Sequence, residues 1–510
     1  DLFAVFMEVL PNLTAKEGCF GIINLPSWLF LSTFEKIRDD YISNYFIMNM
    51  LHFGRGIFGI DWGSVAFTVK KSVCGDRTGE YFKLHERTFQ HIKIEDIEKL
   101  FHYSYKNPDY KYDFKEYRDK DGMNEIPELG TETGQQIFYP NVSQTNFSKL
   151  PGSPIAYFVS ERVIENFRNF PNFNTLAKIR QGMATSDNYR FVKYWFEVSC
   201  SRIGLGYRNR KTAEASKLKW FPYNKGGGYR KWYGNIEYVV NWEFDGQEIA
   251  EFRDYKNSTL TSNMGVAGLP FIFKENITWS KISSSSFSVR YLPEGFLFDV
   301  SGCSIFSDID ELNYYILLLN SKVIVGLLSS LSPTLNFEVG TIKSIPIKKS
   351  VITLDMGQFV NIAKTDWDSR ETSWDFEEFP LLNNSSSLPD SYTYWEEKVT
   401  EDFFKLHENE EELNRIFIDI YGLQNELNSD VALKDITILQ DELDRGELET
   451  NNDELLANKT GLPIKKDLVI KQLLSYATGC FMGRYRLDKP GLNIAHPGST
   501  EEELGAYLYH

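Results

Sequence analysis

The sequence predicts an α/β opening, an α+β middle and a mainly α-helical end. Three observations predict it. Before residue 75, amphipathic helical runs alternate with short, continuous apolar runs. Between 151 and 350, short β-type runs and turn residues surround two apolar helical stretches. After the polar breaker "NNSSSLPDS" at 383–391 the periodicity is helical. The 510 residues suit three or four domains, and 42% apolar with 15% aromatic residues is a composition that buries cores.

Taken in order, a helix is expected over 2–10 and a turn at Lys16-Glu17-Gly18. The continuous apolar run 20–25 fits a strand covered on both faces. A helix at 34–41 and strands at 45–53 and 64–71 complete the opening, assigned to 1–75. Residues 76–150 are rich in Lys, Asp, Tyr and Asn and carry Pro108, Pro127 and Pro140. They are expected to be a connecting region with some helix in "IEDIEKLFHYSY". Helices are expected at 160–170 and 310–328 within the α+β domain 151–350, and 351–510 is the helical end.

The net charge of −16 argues against a general polyanion binder, but the charge is unevenly distributed. Residues 200–240 hold nine bases against two acids, whereas 401–460 hold seventeen acids against five bases. The acidic tail is read as solvated helix rather than a partner surface. Cys19, Cys74, Cys200, Cys303 and Cys480 are odd in number and scattered, without zinc spacing, which fits a reducing cytoplasm and no structural metal. The apolar run at 314–331 is interrupted by Asn320, Ser321 and Lys322, so no membrane span is expected there. The opening at Asp1, without a basic leader, fits a piece of a longer chain.

Gly54-Arg55-Gly56-Ile57-Phe58-Gly59 matches G-x-G-x-x-G, but a strand follows where a dinucleotide site requires a helix N-terminus. Asn107-Pro108-Asp109-Tyr110 differs at its third position from the Asn-Pro-Pro-Tyr grip of amino-group DNA methyltransferases and lies in a polar stretch that suits a surface turn. Asp308-Ile309-Asp310-Glu311 precedes an apolar helix, where acids complement the helix N-terminus. No common hydrolytic triad, P-loop or zinc motif is present. The informative segment is "GYRNRKTAEASKLKWFPYNKGGGYRKWYGN", which interleaves cations with aromatics around a triple glycine. Cations neutralise phosphates, rings stack, and glycine backbone lets amides approach a nucleic acid.

Several long segments resemble the adenine-specific DNA methyltransferases of BREX phage-defence systems, the phage-growth-limitation type. "DLFAVFMEVLPNLTAKEGCFGIINLPSWLF" through "WGSVAFTV" resembles the last third of their catalytic domain. "GMATSDNYRFVKYWFEV", "KWFPYNKGGGYRKWYGN" and "ITWSKISSSSFSVRYLPEGFLFDVSGCSIF" resemble their target-recognition domain. "LNYYILLLNSKVIVGLLSSLSPTLNFEVGTIKSIPI" resembles the closing element of such domains, and "EEELNRIFIDIYGLQNEL" and "LLSYATGCFMGRYRLDKPGL" resemble the helical C-terminal region.

The resemblance implies a Rossmann-like class I methyltransferase sheet at 1–75, of which only the closing strands are here, then a recognition domain and a helical domain. It implies transfer of a methyl group from S-adenosylmethionine to the exocyclic amine of a flipped adenine. The cofactor loop F-x-G-x-G and Asn-Pro-Pro-Tyr are missing, so cofactor binding falls to residues outside this chain, and the chain alone is expected to be inactive. By position, Phe58 would stack on the flipped base; the plain alternative is a ring plugging the sheet end. The resemblance makes Arg208, Arg210, Lys211, Lys225, Arg230 and Lys231 candidate DNA contacts, with Asp187, Asn188 and Arg190 as a second polar loop. The implied partners are double-stranded DNA and other phage-defence proteins, with a cytoplasmic monomer expected. Two alternatives are a non-catalytic specificity or scaffold subunit and a restriction enzyme sharing the recognition architecture.

Overall fold

Alternation of apolar and polar side chains builds the first sheet. The computed structural model describes residues 2–493 except 55–56, 58–62, 87–91, 115–116, 118–125, 133, 257–267, 284, 332–335 and 383–386, and the side chains of 254–256. The chain divides into two units, the first comprising Asp1–Asn172, Gly326–Thr334 and Ser344–Ile347. Its elements are α1 (Leu2–Leu13), β1 (Cys19–Asn24), α2 (Glu35–Asn44), β2 (Phe46–Phe53), β3 (Ser64–Lys70) and β4 (Thr78–Leu84). Then follow α3 (Ile94–Lys106), the short pair β5 (Lys111–Tyr112) and β6 (Gln135–Gln136), β7 (Phe138–Ser143) and α4 (Glu161–Asn169).

The sheet order is β1-β3-β2-β4-β7. β3 inserts antiparallel between β1 and β2, while β4 runs parallel to β2. Two expectations change here. The run 20–25 is an edge strand rather than a doubly covered one: its side chains alternate between exposed and half-buried, and Ile23 is 60% exposed. Residues 76–150 are more than a connection, because β4 and β7 carry the sheet onward and pack Phe82 and Phe138 with the α3 side chains Ile97 and Leu100. Asn107-Pro108-Asp109 is a turn in which the Asn107 side chain accepts from the Asp109 amide at 3.2 Å.

Trp28, Tyr41, Phe67, Tyr81 and Tyr157 form the core of this unit. Two buried polar side chains fasten the loops around it. Arg38 donates to the carbonyls of Trp28, Leu31, Gly152 and Ser153, so its charge is spread over backbone oxygens. The Gln144 amide donates to the carbonyls of Ile42 and Tyr45 and accepts from the Ile47 amide, which fixes the start of β2.

The second unit comprises Phe173–Val325, Leu335–Lys343 and Lys348–His510. Its elements begin with β8 (Lys178–Arg180), α5 (Asn188–Phe191), β9 (Val192–Tyr194), α6 (Arg210–Ser216), β10 (Trp220–Asn224), β11 (Tyr238–Asn241) and α7 (Glu243–Lys256). β12 (Asn276–Ser280), β13 (Val289–Leu292), β14 (Leu297–Phe298) and β15 (Gly302–Phe306) follow. Two four-stranded sheets result, β14-β10-β11-β9 and β13-β12-β15-β8.

The expected helix at 310–328 is two helices, α8 (Ile309–Leu319) and α9 (Lys322–Leu331), whose residues from Gly326 belong to the first unit. The break comes where Asn320 mimics a strand, its side chain accepting from the Val289 amide at 3.0 Å and donating to the Val289 carbonyl at 3.1 Å. Among the described residues no single helix is long and apolar enough to cross a membrane.

The remaining helices are α10 (Val339–Lys343), α11 (Gly357–Asp368), α12 (Leu388–Tyr421), α13 (Arg445–Thr450), α14 (Asn452–Asn458) and α15 (Lys466–Phe481). α12 is 34 residues long, capped by the Ser387 side chain and stopped by Gly422 in the left-handed region. The helical end shares one unit with both sheets, so the boundary read at residue 350 does not separate compact bodies.

Candidate nucleic-acid interface

The basic segment contains β10, a loop over 225–237 and the start of β11. Two of its cations face inward. Arg230 is 6% exposed, donates to Asp366 at 3.1 Å and lies over the Trp367 ring. Asp366 also accepts from Arg370 at 3.0 Å and from the Leu439 amide at 2.8 Å. Arg370 reaches Glu442 through two bonds of 3.1 and 2.7 Å, and Gln472 donates to the same carboxylate at 2.9 Å.

Next to this network, Lys231 pairs with Glu410 at 2.5 Å, and the Trp232 indole donates to the other oxygen of Glu410 at 2.7 Å. Trp232 stacks on Phe359 with centroids 4.2 Å apart. The loop is therefore fastened to α11, α12 and the 436–443 segment. As direct DNA contacts, Arg230 and Lys231 are corrected: their charges are spent on buried carboxylates, and exposing them would leave Asp366 and Glu410 desolvated and under-paired. Sequence reasoning missed Asp366, Arg370, Glu410 and Glu442. The opposite charges of the middle and the tail hinted at the pairing, but not at its partners.

Burial alone would push the Asp366 carboxyl up; Arg370 and Arg230 beside it hold it below the usual range. Glu442 is likewise raised by burial and lowered further by Arg370, with a net depression. A carboxylate held low in the fold contributes stability that is full above its unfolded value, about 4, and is lost as pH falls through the folded value. Melting temperature is accordingly expected to fall as pH drops below about 4, with a shallower fall in Asp366→Asn. Parallel acid profiles for the two proteins would remove Asp366 from the effect.

The other cations face solvent. Arg190 pairs with Glu248 at 2.6 Å, Arg208 with Glu294 at 2.7 Å, and Arg210 with Asp245 through two bonds. The Arg190 and Arg208 side chains are 49% and 77% exposed. Exposed pairs of this kind contribute about 0–1 kcal/mol and exchange readily for a phosphate. Lys211 is exposed and Lys225 half-buried, and neither has a carboxylate partner among the described residues. Asp187 caps α5 by accepting from the Arg190 amide at 3.1 Å, and Asn188 accepts from Thr185 at 2.7 Å. The 187–190 loop thus has a set shape that presents Arg190 outward.

Phe58 lies outside the described residues. In the first unit β1, β2 and β4 all end on one side, where a wound sheet carries its ligand. The side chains there are His52, bonded to the Tyr157 hydroxyl at 3.1 Å, with Lys83 and His85. Burial depresses all three, His85 to about 3 and Lys83 to about 8. None of these three offers a carboxylate for a ribose, but Glu86, next in the chain after His85, does, and its charge counters the burial of Lys83. Among the described residues no group of three or more His, Cys, Asp or Glu could hold a metal ion.

No protein-family model matches the chain. It is 36% identical over 97% of its length to the adenine-specific methyltransferase PglX of Lacticaseibacillus casei (strain Zhang). It is 32% identical over 98% of its length to the adenine-specific methyltransferase BrxX of Escherichia coli O9:H4 (strain HS). The chain spans 38% and 37% of those proteins. Among solved structures, the Type IIL restriction-modification enzyme MmeI in complex with DNA superposes at a TM-score of 0.38 and 10% identity, over 83% of this chain and 49% of that one. The type IIG restriction endonuclease BpuSI gives 0.26 and 10%, over 82% and 49%.

Proposed function

From the premise that this chain belongs to the family of adenine-specific methyltransferases represented by PglX and BrxX, of whose length it spans little more than a third, we propose that it is the DNA-reading portion of such an enzyme. The observation that carries the proposal is the similarity to two adenine-specific methyltransferases across 97–98% of the chain. The first unit supports it with a sheet closed by an inserted antiparallel strand. The second unit supports it with a loop held by buried ion pairs and with solvent-facing cations that are weakly paired or, among the described residues, without a carboxylate partner.

In this reading Lys211, Lys225, Arg190, Arg208 and Arg210 meet the DNA backbone or base edges, whereas Arg230 and Lys231 hold the loop that carries Lys225. S-adenosylmethionine, held by residues outside this chain, would supply the methyl group. Phe58 is proposed to stack on the extruded adenine, since an aromatic face offsets part of the unstacking cost. A cytoplasmic phage-defence setting goes with the family.

The test is duplex binding and methyl transfer measured side by side with labelled cofactor. This chain is expected to retain duplex without labelling it, and the longer polypeptide to label adenine. No duplex binding would sink the DNA-reading role, and label transferred by this chain alone would sink its role as a partial enzyme. Lys211→Glu with Lys225→Glu is expected to weaken duplex binding about tenfold or more and to reduce the log–log salt slope by roughly 0.9 for each phosphate no longer neutralised. An unchanged slope would take both lysines out of the interface.

A further inference from the structure

We propose that the 226–228 glycine loop seats a phosphate of duplex DNA over the buried guanidinium of Arg290, which supplies the seat's positive charge from beneath. The proposal rests on the DNA-reading role above and names where one backbone phosphate would sit.

Arg290 is only 1% exposed, in the interior of β13. Its Nη2 donates to Ser280 Oγ at 3.2 Å and its Nη1 to the Arg230 carbonyl at 3.4 Å, while Nε has no partner. No carboxylate pairs with it among the described residues. The neighbouring buried charges are already matched: Arg230 and Arg370 with Asp366 and Glu442, and Lys231 with Glu410. Asp299, the nearby carboxylate on β14's continuation, is held instead by the Tyr223 hydroxyl and the Ser301 amide. Burial first, then repulsion from Arg230, lowers the Arg290 guanidinium to about 10, so it stays charged at neutral pH. An unmatched charge in low dielectric is costly to the fold, and an external anion relieves that cost.

The start of the loop shares a neighbour with this charge. A Cβ on Gly226 would meet Ser301 O at 2.8 Å and Ser280 Oγ at 3.4 Å, the same hydroxyl that Arg290 holds. Gly226 donates its amide to Asn224 Oδ1 at 3.1 Å and so anchors the turn. Gly227 and Gly228 are exposed, and their amides have no partner among the described residues. Asn235 donates to the Gly228 carbonyl at 2.9 Å and would collide with a Cβ on Gly227 at 2.7 Å, which sets the loop's curvature. Lys225, half-buried at the loop's entrance, has no carboxylate partner among the described residues either. Two free amides, an ammonium and an uncompensated guanidinium together suit a monoanion with several acceptor oxygens, which is the chemistry of a phosphodiester. Arg290 acts on it through the field rather than by contact.

Gly228 offers a test that leaves the fold intact, because a Cβ there meets nothing within 4 Å and its φ is outside the left-handed region. Duplex binding would be followed by fluorescence anisotropy across a salt series. Gly228→Ala is expected to match the wild type. Gly228→Asp is expected to bind roughly three- to tenfold more weakly, with a slope smaller by about 0.9. Arg290→Met is expected to lose the same slope; if it melts lower yet binds DNA unchanged, Arg290 is purely structural. Wild-type affinity and slope in Gly228→Asp would overturn this seat while leaving the DNA-reading role standing, whereas failure of the wild type to bind any duplex would remove both. Stabilisation of the wild type by inorganic phosphate over chloride at equal ionic strength, lost in Gly228→Asp while duplex affinity is unchanged, would assign the seat to a small phosphate and overturn the duplex assignment.

Discussion

Glu410→Ala is expected to destabilise the second unit by about 3–5 kcal/mol, read as a lower urea midpoint. Glu410 is 1% exposed on α12 and accepts from both Lys231 and Trp232. Burial alone would lower the Lys231 ammonium, but Glu410 holds it above its ordinary value. Truncation therefore leaves a desolvated charge and an indole N–H without an acceptor, two costs that add. Glu410→Gln keeps an acceptor for Trp232 and is expected to fall between wild type and alanine. Lys231→Met combined with Glu410→Met removes both charges at once and should recover most of the loss. A Glu410→Ala cost below about 1 kcal/mol would mean that the loop is held mainly by the Trp232–Phe359 stack.

Gly182→Ala is expected to cost about 3 kcal/mol or more, because nothing at that position can yield cheaply. A Cβ there would sit 1.9 Å from the Phe298 carbonyl oxygen and 2.8 Å from that of Asp299. The same backbone approach carries the bonds from Gly182 N to Asp299 O and from Met183 N to Phe298 O. Making room for a methyl group therefore separates the segment after β8 from β14 and breaks both bonds. Thermal melting checks it, and a melting temperature within a degree or two of wild type would mean that the two segments part easily.

Much of the fold is legible in the sequence where periodicity decides it. Strands 45–53 and 64–71 and the helices at 34–41 and 160–170 appear within a few residues of their expected places. Periodicity does not tell which strand ends a sheet, so the apolar run 20–25 looked doubly buried and is an edge. Nor does polarity exclude strands, and Tyr81, Phe82 and Phe138 drew a weakly periodic stretch into the sheet. In the candidate interface, cation composition pointed to the right segment. It gave no way to separate Arg230 and Lys231 from Lys211 and Lys225, because that depends on acids more than a hundred residues away in the chain. Arg290 carried no signal at all, as a lone arginine in an otherwise apolar strand.

The division of the chain bears on how such a protein could exchange parts. The first unit is assembled from Asp1–Asn172 and two later inserts, Gly326–Thr334 and Ser344–Ile347, so the polypeptide passes between the units five times. A recombination with a single crossover near residue 172 would give one parent's sheet the other parent's inserts. Replacement of the DNA-reading part by a relative's therefore calls for a mosaic that keeps 326–334 and 344–347 with their own sheet. A protease nick at any one junction would leave both units still joined by the remaining passages.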